Sequence, residues 1–387
     1  MEMPSSDPST KALLEVERIH TFFPILRLLG NRWAARRPWD GRVIGVCAHL
    51  TTLTAALLRE MALGGGEIVV SAANPATTDA RVVALLRHEG FDVHIDGDPQ
   101  ARHLRALAKD PDLVIDVGFS MIETLINERP KLAQEVQAAI EITRTGITRL
   151  RAQSEIPFPI INVNDGKLKP AIENRHGAGE GLWQSIATLT GMHLSGRRVG
   201  VVGYGPVGKG VAAYARAAGA LVSVVELDPI QRLVAHYDGF NTPTLRDAIE
   251  SVGILVTATG TSKVIRADDL KNARDGIVLA NAGHGGDEID IDEIRYRAEE
   301  EDQIAKHTVR YRIAERSTVV VLGNGHPLNI VTNQGSPEPV LLHFALVGLT
   351  LEWLRERELD PGEIMVPVEL EQETAALALD ALGQAAG

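Results

Sequence analysis

Three glycines carry the most specific chemical signal in this chain. Gly203, Gly205 and Gly208 stand in G-x-G-x-x-G spacing inside the run from Arg198 to Gly210. The first permits a tight turn, the second lets backbone amides approach a pyrophosphate, and the third lets the following helix pack close to its strand. Pro206 and Val207 complete the loop, and the helix N-terminus faces the phosphate charge. A second apolar strand, Leu221 to Val225, ends in Glu226, 18 residues beyond Gly208. An acid there can accept hydrogen bonds from both ribose hydroxyls and would repel a 2′-phosphate, so the pattern selects NAD over NADP. A glycine turn beside an incidental surface acid is the alternative, and the complete strand–turn–helix–strand context argues against it.

The elements that must position this loop read clearly around it. Val199 to Val202 is too short and too β-branched for a helix and suits a buried parallel strand. Earlier in the chain, Val43–Cys47, Glu67–Ser71, Asp92–Ile95 and Leu113–Asp116 are strand-like runs separated by helical patterns. A helical pattern over 13–32, a Thr/Leu-rich helix ending at Leu63 and another from Thr78 to His88 accompany them. Met1 to Thr10 reads as a polar tail. The segment from Phe158 to Asp165 crosses towards the glycine-loop unit, where 253–258, 276–280 and 319–322 continue the alternation. A long apolar helix over about 340–357 has no strand of its own and is expected to pack back on the first unit. The fold class is therefore α/β, with two Rossmann-like domains and C-terminal helices that return to the first. The expected divisions are 1–165, 180–334 and 335–387.

Composition excludes several classes. A chain of 387 residues with 44% hydrophobic content can bury two cores. Its formal net charge of −12 argues against nucleic acid or an anionic membrane as partner. The basic group Arg32, Arg36 and Arg37 reads as a solvated helix end. The one cysteine, Cys47, rules out a disulfide framework and a cysteine metal site, and its apolar surroundings read as a buried strand. No His/Asp/Glu cluster has transition-metal spacing. No signal peptide or apolar span of membrane length is present, so a cytoplasmic protein is expected.

Four further segments join the glycine loop in order: Cys47-Ala48-His49-Leu50-Thr51; Asn162-Val163-Asn164-Asp165 with Lys169, Glu173 and Asn174; Asn281-Ala282-Gly283-His284; and Asn324-Gly325 with Asn329. Together they resemble S-adenosylhomocysteine hydrolase over nearly the whole chain, most strongly between Asn162 and Asp290. The resemblance implies a substrate domain formed by both chain ends, an NAD domain between them, a small-molecule nucleoside substrate and a homo-oligomer, a dimer or tetramer. It also implies a redox-neutral chemistry in which NAD removes and returns the hydride of ribose C3′. The ketone acidifies C4′, so a C5′ substituent can leave by β-elimination.

Residue by residue, the resemblance places Lys169 beside the 3′-hydroxyl, with Glu173, Asn174 and Asn164 lining the same site. His284 falls near sugar and nicotinamide, and His49 where it can protonate a departing C5′ group. Thr51 matches a nucleoside contact; Thr143, Thr145, Asn281, Gly283 and Asn329 match the cofactor's surroundings. The departures lie on the substrate side. Leu53 stands where the family has a glutamate for the adenine amino group, Val117 where it has an aspartate near C5′, and Ile142 where it has a glutamate for the ribose hydroxyls. Glu173 lengthens an aspartate by one methylene, Gly285 replaces a channel phenylalanine, and Ser336 replaces a substrate-contacting histidine. Each lost carboxylate removes a charge-assisted hydrogen bond of about 1.5–3 kcal/mol. The expected activity is therefore elimination without rehydration, giving a 4′,5′-unsaturated sugar of the kind found in angustmycin-type nucleoside antibiotics. A divergent hydrolase releasing adenosine and homocysteine is the second reading, and a non-catalytic NAD-binding regulator the third.

Overall fold

The computed structural model describes residues 7–283, 286–314 and 317–383. In chain order the strands are β1 (Val43–Ala48), β2 (Glu67–Ala72), β3 (Asp92–His94), β4 (Leu113–Asp116), β5 (Ala138–Glu141), β6 (Pro159–Asn162), β7 (Arg198–Val202), β8 (Leu221–Val225), β9 (Ile254–Thr257), β10 (Ile277–Asn281), β11 (Glu300–Ala305), β12 (Thr308–Ala314), β13 (Ser317–Leu322) and β14 (Gly362–Met365). They divide between two compact units, one of residues 1–169 with 337–387 and one of residues 170–336. The divisions follow Lys169 and Ser336, so the interval that the sequence leaves between its first two segments belongs to the second unit from Pro170 onwards.

The first unit carries a parallel sheet in the order β14-β6-β5-β4-β1-β2-β3. Its inner strands β1, β2, β4, β5 and β6 are buried on both faces, as a sheet covered by helices requires, while the edge strands β3 and β14 are partly open. The helix Glu338–Leu354 is apolar nearly all round and buries residues on every side, which identifies an internal helix. Gly348 lets the Trp33 ring lie against it, since a Cβ there would stand 2.4 Å from the ring. The Trp33 indole N–H donates to Glu352 at 3.0 Å.

Several sequence expectations change here. The pattern over 13–32 forms two helices, Pro8–Phe22 and Ile25–Arg36, because Pro24 cannot continue the first. Pro8 to Thr10 are helical and not part of a tail. Arg32 and Arg36 are more than a solvated end: both donate to Glu352, at 3.1 Å each, and Arg32 reaches Glu373 at 2.5 Å. The C-terminal segment is not wholly helical, because β14 adds to the sheet edge beside β6, registering Ile364 with Ile161.

The second unit has the order β11-β12-β13-β10-β9-β7-β8, antiparallel through β11, β12 and β13 and parallel beyond. Among the described residues, no helix is long and apolar enough to cross a membrane.

Candidate active site

Open α/β sheets bind ligands beyond the carboxyl ends of their strands, where the strand order reverses. In the second unit that point lies between β7 and β9. Gly203 follows β7 at φ +97°, a conformation in which a side chain is strained. A Cβ on Gly208 would stand 2.0 Å from the Gly203 carbonyl oxygen, so the helix Pro206–Ala217 can approach its strand in this way with glycine alone. Pro206 begins that helix and Gly205 precedes it with no side-chain cap, leaving its first amides directed at the loop. The Cβ-free cradle and the uncapped 12-residue helix fit a pyrophosphate, and Val207 lies in the helix's first turn. Glu226 follows β8 and accepts from the Tyr204 amide at 2.6 Å and from the Leu227 and Asp228 amides at 2.7 and 2.9 Å. The carboxylate thus fixes the glycine loop from the end of β8.

Loops beyond β9 and β10 are joined by two buried polar side chains. Asn281 accepts from the Gly283 amide at 2.7 Å and the Thr257 hydroxyl at 3.1 Å, and donates to the Gly325 carbonyl at 2.9 Å. Glu288 accepts from the Thr259 amide and hydroxyl at 2.9 and 2.8 Å and from the Gly260 amide at 2.8 Å. Burial pushes the Glu288 carboxyl above its ordinary value, against these bonds. Gly283 leaves room for this carboxylate, since a Cβ there would meet a Glu288 oxygen at 1.7 Å and displace it. Asn329, in the short helix Leu328–Val331, packs beside Gly181. His284 and Gly285 lie outside the described residues.

In the first unit the order reverses between β1 and β4. His49 follows β1, Val117 follows β4, Ile142 follows β5 and Asn164 follows β6, so the topology brings these positions to one sheet end. The His49 Nδ1 lies 2.6 Å from the Thr77 hydroxyl, which fixes the ring's orientation. Thr51 caps the helix Thr52–Ala62, and Leu53 packs on the hydrophobic core. Val117 and Ile142 are 6% and 7% exposed and belong to that core.

Their neighbours Asp116 and Glu141 are fully buried carboxylates. Glu141 accepts from the Gly118 and Phe119 amides at 3.1 and 2.8 Å and from the Thr143 amide and hydroxyl at 2.8 and 2.7 Å. Asp116 accepts from the Val117 and Ile122 amides, both at 2.8 Å. Burial, and for Glu141 the neighbouring Asp116 charge, push the two carboxyls up, to about 8 for Glu141 and about 6 for Asp116, against the bonds they accept. Phe119 sits at φ +65°, a left-handed conformation that a non-glycine residue holds at a cost of about 1–3 kcal/mol. The Glu141 carboxylate on its amide holds it there.

The Asn162–Asp165 turn is closed on itself. Asn162 donates to Asp165 and to Glu363 of β14, while Asn164 donates to Asp165 at 2.8 Å and Arg151 donates to it at 2.7 Å. Buried Lys169 then begins a π-helix, Lys169–Ala178, which also carries Glu173 and Asn174. Such i→i+5 stretches are rare and are frequent at functional sites. Thr143 caps the helix Arg144–Arg151, accepting from Gly146 while donating to Glu141, and Thr145 lies in the first turn of that helix. Ser336 is the last residue of the second unit.

Residues 174–335 match the family model described as the S-adenosyl-L-homocysteine hydrolase NAD-binding domain. The chain is 35% identical to the S-inosyl-L-homocysteine hydrolase of Methanopyrus kandleri over 98% of its length and 92% of that protein's. It is 36% identical to the adenosylhomocysteinase of Aquifex aeolicus, covering 96% and 92%, and 30% identical to that of Thermotoga maritima, covering 96% and 94%.

The chain belongs to the S-adenosylhomocysteine hydrolase family. It is an NAD-dependent enzyme of that superfamily, and the glycine cradle, Glu226 and Asn281 all lie within the matched NAD-binding domain. Four residues that organise these loops were not read from sequence: Thr77, Asp116, Glu141 and Glu288. The Asn74-Pro75 turn was a local signal for Thr77, whereas Asp116 and Glu141 look in sequence like any strand-end acid and Glu288 like any loop acid.

Proposed function

We propose that this enzyme oxidises a nucleoside sugar at C3′, removes the C4′ proton and expels a C5′ substituent without adding water back. Bound NAD supplies the reversible removal and return of the C3′ hydride. Lys169 takes the 3′-hydroxyl proton and gives it back at the end. His49, oriented by Thr77, protonates the departing C5′ oxygen, since hydroxide is a poor leaving group at neutral pH. With a 5′-hydroxyl substrate the C5′–O bond breaks, C4′ and C5′ become doubly bonded, and the net change is loss of one water.

One observation carries the reading. Val117 and Ile142 occupy the strand ends as core side chains, and the adjacent acids cannot stand in for the lost carboxylates. Asp116 and Glu141 are fully buried with their oxygens engaged by backbone amides and Thr143. A site without those acids leaves substrate hydroxyls unpaired, which disfavours the substrate they evolved to hold. Leu53 likewise offers nothing to an adenine amino group. That a 35% identical relative is named for an S-inosyl substrate supports a base other than adenine. A homo-oligomer, dimer or tetramer, is part of the same reading and is checked by sedimentation.

Mass spectrometry of the NAD-loaded enzyme with 5′-hydroxyl nucleosides, and separately with S-adenosylhomocysteine and S-inosylhomocysteine, tests this. A nucleoside product lighter by one water is expected. Release of homocysteine at normal turnover, with the 5′-hydroxyl nucleosides untouched, would make the enzyme a hydrolase.

A further inference from the structure

The six residues from Val163 to Leu168 join β6 to the π-helix, and their C-terminal end is held from outside by the C-terminal helix Val368–Ala381. Glu371 of that helix is 6% exposed, and one of its oxygens, Oε1, accepts from the Lys167 amide at 2.5 Å and the Leu168 amide at 2.9 Å. These amides open a helix and have no intrahelical acceptor, so the carboxylate acts as an N-cap delivered from 203 and 204 residues away in sequence. Gly166 admits it, because a Cβ there would stand 2.6 Å from the same oxygen. At the other end of the segment Asp165 is held by Arg151, Asn162 and Asn164. The backbone immediately before Lys169 is thereby fixed at both ends, and the second unit begins at the next residue.

We infer that Glu371 is a positioning residue for Lys169: it sets the backbone from which the lysine reaches the 3′-hydroxyl. The role rests on the C3′ oxidation proposed above. It gives the C-terminal segment a task in catalysis without contact to substrate. A displacement of about 1 Å in a proton-transferring group costs on the order of 100-fold in rate. A misplaced cap is expected to slow oxidation while leaving ligand binding in place.

The test mixes NAD-loaded enzyme with the nucleoside that the wild type turns over and follows reduction of the bound cofactor across substrate concentrations. Glu371→Ala is expected to lower the limiting rate by about 10–100-fold, with half-saturation and NAD content unchanged. Glu371→Gln is expected to recover most of it, because the amide oxygen can occupy the Oε1 position and accept both amide hydrogens. Thr374→Ala is the control for helix damage: Thr374 is fully buried on the same helix and its hydroxyl bonds to the Leu370 carbonyl. If Glu371→Ala does not fold, Glu371→Asp, which withdraws the carboxylate by one methylene, is expected to be slow. A wild-type limiting rate in Glu371→Ala or Glu371→Asp, or a Glu371→Gln rate no better than that of Glu371→Ala, overturns the assignment. A slowing by Thr374→Ala equal to that of Glu371→Ala does the same. A wild type that reduces no NAD with any nucleoside instead overturns the C3′ chemistry, and the role of Glu371 with it.

Discussion

The two α/β units brace their ligand-side loops with one device and then diverge in what they mount on it. In the cofactor unit, Glu288 ties the loop after β9 to the loop after β10. In the other, Glu141 ties the loop after β4 to the end of β5. Both are buried acids that accept backbone amide hydrogens, and burial raises both. On its brace the cofactor unit exposes main chain, with an uncapped helix start and glycines that admit no Cβ. The first unit presents side chains, and two of these are Val117 and Ile142. Main-chain recognition limits the residue type to glycine. Side-chain recognition can be rebuilt one position at a time while the brace stands, and three of the departures from the family pattern, Leu53, Val117 and Ile142, fall there.

The largest expected effect breaks the comparison at its chemical end. Lys169→Ala should lower cofactor reduction by nucleoside about 10²–10⁴-fold, the range of a lost acid–base group, with bound NAD unchanged. Stopped-flow absorbance reads this directly. Next, Gly208→Ala forces a Cβ to 2.0 Å from the Gly203 carbonyl, so the helix must shift. Overpacking of that kind costs about 1–3 kcal/mol, which should weaken NAD retention by roughly 10–100-fold in a dialysis assay.

A third experiment compares the braces themselves. Because the folded pKa values of Asp116 and Glu141 are raised, the folded state holds protons that the unfolded chain releases. Stability from these groups is full below the ordinary carboxylate values and is lost as pH rises towards about 6 for Asp116 and about 8 for Glu141. Each proton contributes at most about 1.4 kcal/mol per pH unit. Glu141→Gln should flatten the stability slope in urea titrations between pH 5 and 8 (roughly the window in which Glu141 would titrate). A slope equal to wild type would place the Glu141 value near that of an ordinary carboxylate. The smallest effect is expected at the rim: Arg36, 60% exposed in its ion pair with Glu352, should change the melting temperature little on replacement by Ala, a loss of about 0–1 kcal/mol.

These contrasts also explain what sequence could reveal. The glycine cradle was readable because its parts lie within a few residues and each excludes a Cβ for a local reason. The alternation of strands and helices was readable from apolar period. Glu141, Glu288 and Glu371 were not, because each acts on amides 22 to 204 residues away, and nothing near them in the chain marks the partner. β14 escaped for another reason: four residues with alternating half-burial, between Pro361 and Pro367, are too few to show a period. Pro24, by contrast, was a visible helix breaker inside the pattern over 13–32.

The discontinuity of the first unit has a consequence for synthesis. Its edge strand β14, its internal helix Glu338–Leu354 and the Glu371 cap all leave the ribosome after residues 170–336 are complete. The inserted unit owns all of its sheet and can close while its host still lacks an edge strand and a core helix. A nascent chain would thus complete the inserted unit before the strand and helices that finish its host.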